Sequence, residues 1–378
     1  MNPLRRLQEY GQSVWLDYIR RDLLENGELQ RLTTEDGLRG MTSNPAIFEK
    51  AIADSTLYDA AFTSMPPHRA DTTARYEHVA IEDIQRAADI LRPIYDATQR
   101  RDGYVSFEVS PYLAHDTDRT LAEARRLWSA VGRENLMIKV PGTPEGIPAV
   151  ERLISEGLNI NVTLLFAREV YERVAEAYIA GIEKRAAAGK DVRHVASVAS
   201  FFISRIDTLV DAELSARLKD ASAGDRARLQ NLLGKVAIAN GKLTYERYGK
   251  IFGGPRWEQL QAAGAQTQRV LWASTSTKNP NYRDVLYVEE LIGADTVNTI
   301  PPATFDAFRE HGRLRPSLTE DAASARQTME QLAQAGVSMQ AVTAKLLDDG
   351  VRLFAEAFDK LLLAVEQKSA TVAKRASA

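Results

Sequence analysis

Short apolar, β-branched runs recur along the chain, and most are followed by a stretch with helical spacing. They predict strands at 13–17, 38–42, 104–109, 136–140, 158–163, 194–200, 269–274 and 295–300. Between them, segment 116–132 carries Leu121, Ala124, Trp128 and Val131 spaced three, four and three apart, which is one face of a helix. Asp116 or Asp118 can cap its start and Gly132 can end it. Segment 166–189 reads as a second amphipathic helix, stopping at Gly189.

Strand–helix alternation implies parallel strands in βαβ units. Eight of them fit an α/β fold of the (β/α)8 TIM-barrel type. The competing open, doubly wound sheet lacks its usual phosphate loop, since no G-x-G-x-x-G follows the first strand and no G-x-x-x-x-G-K-[ST] occurs. Residues 54–100, 207–267 and the tail after Pro302 exceed a minimal barrel. They read as helices packed on it, so 1–378 is expected to be a single domain. Within them 218–229 reads as a surface connection and 368–378 as a frayed end. The helical stretch 341–367 fits either a lid over the barrel mouth or a helix packed on the outside.

Composition narrows the chemistry. The 378 residues are 44% hydrophobic and 26% charged, as in an ordinary globular protein. A net charge of -3 leaves no basic surplus for nucleic acid, so an anion would be held by a few local cations. The absence of cysteine excludes disulfides, thiolate catalysis and iron–sulfur clusters. His68, His78, His115, His194 and His311 show no metal-ligand spacing, so neither a metal nor a cofactor is expected. The first residues are polar, and no apolar run approaches the ~20 residues needed to span a membrane. A cytoplasmic protein without a membrane partner is the expectation.

Parity along the strands is more informative. If Val105, Phe107, Ile138, Val140, Ile160 and Val162 meet the helices, the other parity points into the barrel. That parity carries Trp15 and Asp17, Ser106 and Glu108, Met137 and Lys139, Asn161 and Thr163, and ends at Ser200. Polar groups are costly in a packed interior, where an unpaired neutral group already costs ~1–3 kcal/mol. They are tolerated at the C-terminal mouth, where barrel active sites lie. Each alone could be a structural hydrogen-bonder, but six near the strand C-termini, Asp17, Glu108, Lys139, Asn161, Thr163 and Ser200, point to a site. Loss of hydration favours the neutral, nucleophilic form of a buried lysine, and a nearby carboxylate favours its ammonium. Imine formation with a carbonyl substrate is the chemistry such a residue suggests.

At this point the motifs resemble a known family. Segment 41–52, MTSNPAIFEKAI, resembles the T-[ST]-N-P signature of transaldolases, and 135–166, with IKVPGT followed by NINVT, is similar to their lysine region. VSFEVSP at 105–111, SFFISRID at 200–207 and LWASTSTKNPNY at 271–282 also look like transaldolase elements, of the longer-chain subgroup. The resemblance implies a class I aldolase-type barrel of the pentose phosphate pathway. It implies transfer of a dihydroxyacetone unit from sedoheptulose 7-phosphate or fructose 6-phosphate to an aldose phosphate. Lys139 would form the Schiff base, Glu108 would move protons through a water, and Asp17 would take the hydroxyl proton as the carbon–carbon bond breaks. Asn44, Asn161, Thr163 and Ser200 would position water and substrate hydroxyls, and Arg205 would hold phosphate. The family's A-S-x-R is here Ala273-Ser274-Thr275-Ser276. Lys278 with the Ser274 and Ser276 hydroxyls is the expected substitute; a solvated loop lysine is the other reading. Sugar phosphates are the expected partners, and the protein is expected to be a monomer or homodimer. A stand-alone aldolase releasing dihydroxyacetone, and a non-catalytic sugar-phosphate-binding barrel, are the competing functions.

Overall fold

A computed structural model describes residues 2–53, 55–64 and 71–376. Eight parallel strands close into a barrel in sequence order: β1 (Gln12–Asp17), β2 (Leu38–Thr42), β3 (Tyr104–Glu108), β4 (Leu136–Pro141), β5 (Ile160–Leu165), β6 (Ser197–Phe202), β7 (Arg269–Ala273) and β8 (Thr296–Ile300). β8 pairs with β1, which leaves no free edge. This is a (β/α)8 barrel. Among the described residues no helix is long and apolar enough to cross a membrane.

Side-chain hydrogen bonds between non-adjacent strands show which parity faces inward. Asn161 of β5 donates to Ser106 of β3 (3.0 Å), and Thr42 of β2 meets Thr299 of β8 (2.6 Å). Arg269 of β7 donates to Ser13 of β1 (2.7 Å). Such bonds can only cross the barrel interior. The opposite parity, including Val105, Phe107, Ile138, Val140 and Val162, is buried beneath the helices. Trp15 fills the lower interior, and a Cβ at Gly40 would lie 2.6 Å from its ring, so only glycine fits there. Below it the Arg269–Asp102 ion pair (2.8 Å) plugs the N-terminal end, with Ser13 donating to Asp102 (2.7 Å).

The helix at 116–132 runs Thr117–Val131, with the Asp116 side chain accepting from the Arg119 amide and Gly132 ending it at φ 61°. The second predicted helix runs Arg168–Ala187, two residues inside the predicted limits at each end. The extra segments are helical, including Thr72–Ala97, Val236–Ile251 and the long C-terminal helix Met339–Ala376.

Two expectations are corrected. Part of 218–229 lies in a helix, Ala223–Leu232, capped by Ser222. It is largely exposed, but Leu229 and Leu232, three apart, are buried against its neighbours. Of the end expected to be frayed, 377–378 lie outside the described residues and 368–376 is not frayed. It continues the C-terminal helix because Lys368 and Arg375 both pair with Asp59 (2.9 and 3.2 Å) and Val372 is buried.

β5 also departs from simple alternation. Its register against β6 shifts between Val162 and Leu165, and Leu164 adopts φ 61°. The strand therefore runs two residues past its predicted end, to Leu165. The irregularity follows Thr163 directly, and bulges of this kind commonly re-aim side chains beside active sites.

Candidate active site

The C-terminal ends of the strands surround a cavity of about 260 Å³. Asp17, Thr42, Asn44, Lys139, Thr163, Ser200, Arg205, Ser274, Ser276 and Lys278 line it. A larger hollow of about 1040 Å³ lies beside it, between Phe166 and the start of the C-terminal helix. No lysine lines that hollow, whereas Lys139 and Asp17 both line the smaller cavity.

Lys139 stands at the floor. Register places it beside Glu108 of β3 on one side and Asn161 of β5 on the other. Its Nζ donates to the Ser43 carbonyl (3.0 Å) and lies 3.4 Å from Glu108 Oε2. The two side chains are only 6% and 8% exposed, so this is a desolvated pair. Glu108 is pushed up to about 7 by burial, with the Lys139 charge and hydrogen bond pulling it down and Asp17 pushing it up. It can therefore exchange a proton near neutral pH.

Asp17 closes the opposite side. Burial raises its carboxyl, while Lys139 and the Thr42 hydroxyl act against that. Thr42 donates to Asp17 Oδ1 (2.7 Å). The bond between the Thr42 and Thr299 hydroxyls therefore runs from Thr299 to Thr42. This directed chain holds the aspartate in one orientation.

Asn161 is fully buried between two hydroxyls: it donates to Ser106 and accepts from Ser200 Oγ (2.6 Å). It supports the cavity floor without lining it. Ser200 lines the cavity, and Thr163 presents a buried hydroxyl with no hydrogen-bond partner among the described residues. Asn44 caps the following helix, Pro45–Ala53, by accepting from the Ile47 amide (3.0 Å).

Arg205 has neither an ion-pair nor a hydrogen-bond partner among the described residues. Its guanidinium lies over the Phe202 ring at 5.4 Å, and burial lowers its pKa. It sits in the first turn of the helix Ser204–Leu218. Ser274 faces this turn with φ 56°, its carbonyl accepting from the Ser204 amide (3.0 Å). Lys278 is exposed at the rim and donates to Ser276 Oγ (2.8 Å). The rim is thus positive and the floor holds an amine between two acids. Among the described residues no cluster of three or more His, Asp or Glu side chains is placed to hold a metal ion; His68 lies outside them.

All the sequence-derived candidates meet in this one region, Glu108 and Asn161 from just behind the cavity wall. Several neighbours escaped sequence reasoning. Thr42 and Ser43 stand inside the quoted MTSNP segment, and Ser106 is on the inward parity, so a signal existed for each. Nothing in sequence pointed to the Ser43 carbonyl as a lysine acceptor, to Thr299, or to Phe354 of the C-terminal helix. The Phe354 ring centre lies 5.8 Å from Lys139 Nζ.

A closed parallel barrel with a desolvated lysine–carboxylate pair at its C-terminal mouth defines an enzyme of the Schiff-base-forming class. The chain matches the family described as Transaldolase/Fructose-6-phosphate aldolase over residues 14–365, and it belongs to that family. "Transaldolase 2" of Nostoc sp. is 48% identical to it over 374 residues, covering 97% of this chain and 98% of that protein. "Transaldolase" of Trichodesmium erythraeum is 47% identical over 370 residues, covering 97% of each. "Transaldolase" of Thiobacillus denitrificans is 47% identical over 362 residues, covering 96% of this chain and 99% of that one.

Proposed function

We propose that this enzyme is a transaldolase: a transferase that moves a dihydroxyacetone unit from a ketose phosphate to an aldose phosphate through an imine on Lys139. The carrying observation is the Lys139 amine, held 3.4 Å from Glu108 at the floor of a cavity that Asp17 also lines.

The residues divide the work by position. Lys139 passes its proton to the Glu108 side of the pair and adds, as the neutral amine, to the ketose C2 carbonyl. Glu108, with a carboxyl near 7, donates through a water to the departing C2 oxygen, which leaves as water. The resulting cationic imine draws electrons from the C3–C4 bond. Asp17 accepts the C4 hydroxyl proton as that bond breaks, and the aldose phosphate leaves. The enamine then attacks the acceptor aldehyde, Asp17 returns its proton to the new hydroxyl, and hydrolysis frees Lys139. Ser200 and Thr163 present hydroxyls to the substrate; the unsatisfied Thr163 hydroxyl fits a group supplied by ligand or water. Asn44 lines the entrance, and Asn161 holds Ser200 in place. Arg205 takes the phosphate, with Ser274 beside its turn and Ser276 and Lys278 further along the same loop.

Sedoheptulose 7-phosphate or fructose 6-phosphate as donor, and glyceraldehyde 3-phosphate or erythrose 4-phosphate as acceptor, follow from this reading. A cytoplasmic location and a monomeric or homodimeric state accompany it. The test is borohydride trapping with fructose 6-phosphate and peptide mass mapping. A reduced three-carbon adduct on Lys139, absent from a folded Lys139→Ala variant, is expected. An adduct on another lysine, or none during turnover, overturns the assignment.

A further inference from the structure

The C-terminal helix gives the cavity a wall that is wholly apolar. The barrel side is mixed: Asp17, Thr42, Asn44, Thr163, Ser200 and Arg205 supply polar groups among Pro45, Phe202, Ala273 and Pro301. Leu353, Phe354 and Ala357 close the opposite side. The Phe354 ring lies nearest the chemistry, 5.8 Å from Lys139 Nζ.

The helix is seated to keep it there. Gly350 is buried, and a Cβ on it would meet Leu164 Cδ2 at 3.0 Å, so its bare backbone lets the helix approach the barrel closely. Phe354 follows one turn later on the same face. The receiving surface is Leu164, the residue with φ 61° next to Thr163. Beyond Phe354 the helix is pinned again. Phe358 packs edge-on against Tyr76 (5.9 Å between ring centres), and Lys368 pairs with Asp59.

We infer that Phe354 is the residue that makes this enzyme transfer its three-carbon unit and not release it, and that Gly350 is the positioning residue that seats it. The inference rests on the imine reading above. After the aldose phosphate leaves, the enamine carbon is two bonds from Nζ, which itself lies 5.8 Å from the ring centre. The proton that Asp17 took from the C4 hydroxyl, passed through a water, forms a C–H bond there and leaves an iminium. Water then adds to the iminium carbon, the C–N bond breaks, and dihydroxyacetone and free Lys139 result. The water released on imine formation balances the water consumed. A wall that offers no hydrogen bond and displaces water from this face slows that side path, while an acceptor aldehyde entering from the polar side still reacts.

The test measures a ratio in intact protein: dihydroxyacetone released from fructose 6-phosphate without acceptor, over transfer to erythrose 4-phosphate. Phe354→Ala should raise this ratio at least tenfold, and Phe354→Leu should restore most of the wild-type value. Gly350→Leu should raise it as well by lifting the helix, and adding Leu164→Ala should bring it back. A merely structural role would lower thermal stability in all of these without moving the ratio. An unchanged ratio in Phe354→Ala, with transfer still measurable, overturns the inference. If Phe354→Ala does not fold, an unchanged ratio in Gly350→Leu does so. If wild-type protein neither transfers nor forms an adduct on Lys139, the imine reading has failed, and the inference falls with it.

Discussion

Replacing Arg205 with methionine removes a charge while keeping most of the side-chain volume. Arg205 is unusual here because its guanidinium has no acid to pair with among the described residues, and burial lowers its pKa. An arginine kept desolvated without a partner is costly, and a ligand anion would supply the partner it lacks. Losing one charge-assisted contact costs ~1.5–3 kcal/mol, or roughly ten- to a hundredfold in kcat/KM. The folded state should hardly change. Relief of the desolvation offsets the lost contact with Phe202, which is worth about 0.5–1 kcal/mol at a partly exposed site. The melting temperature of Arg205→Met should therefore stay within about 2 °C of wild type. The assay compares kcat/KM for fructose 6-phosphate and for fructose, with unphosphorylated glyceraldehyde as acceptor in both. Only the phosphorylated donor should suffer. An equal loss for both donors would mean that Arg205 shapes the cavity without reading phosphate, and no loss for either would remove it from the site.

Glu108→Gln should slow adduct formation and abolish any inflection of the rate near pH 7, as stopped-flow trapping across pH 5–9 would show. Because the folded state raises this carboxyl, its stabilising contribution is complete below the ordinary carboxylate range and is lost as pH rises to about 7. The wild-type advantage in melting temperature over Glu108→Gln should accordingly shrink between pH 5 and pH 8, and an advantage that grows over that range would reverse the sign of the argument. Asp17→Asn should form the imine but not cleave it, so borohydride should trap a six-carbon adduct from fructose 6-phosphate; a three-carbon adduct at the normal rate would show that another group takes the proton. Arg269→Met breaks the buried pair with Asp102 at the far end of the barrel. It should cost about 3–5 kcal/mol in denaturant unfolding and leave KM unchanged at 25 °C.

The barrel was legible in the chain because its signal is local. A strand buried on both faces must be apolar on the side that meets the helices. Alternation along 104–109, 136–140 and 158–163 therefore reported both the strands and the inward set that holds Glu108, Lys139 and Asn161. Strand order needed nothing further, since parallel βαβ units place consecutive strands side by side. That adjacency brings Glu108 to Lys139 across β3 and β4. What sequence left open depends on contacts between residues far apart in the chain. The Ser43 carbonyl accepts from a lysine 96 positions away, and a backbone oxygen leaves no trace in residue identity. Thr299 reaches Thr42 only because the barrel closes, 257 positions apart. Leu164 at φ 61° interrupts an alternation that the apolar run TLLF conceals. The C-terminal helix shows one apolar stripe whether it lies outside the barrel or across its mouth. Its place over Lys139 was decided by Gly350 on Leu164, Phe358 on Tyr76 and Lys368 on Asp59, contacts that exist only once the barrel has assembled beneath them.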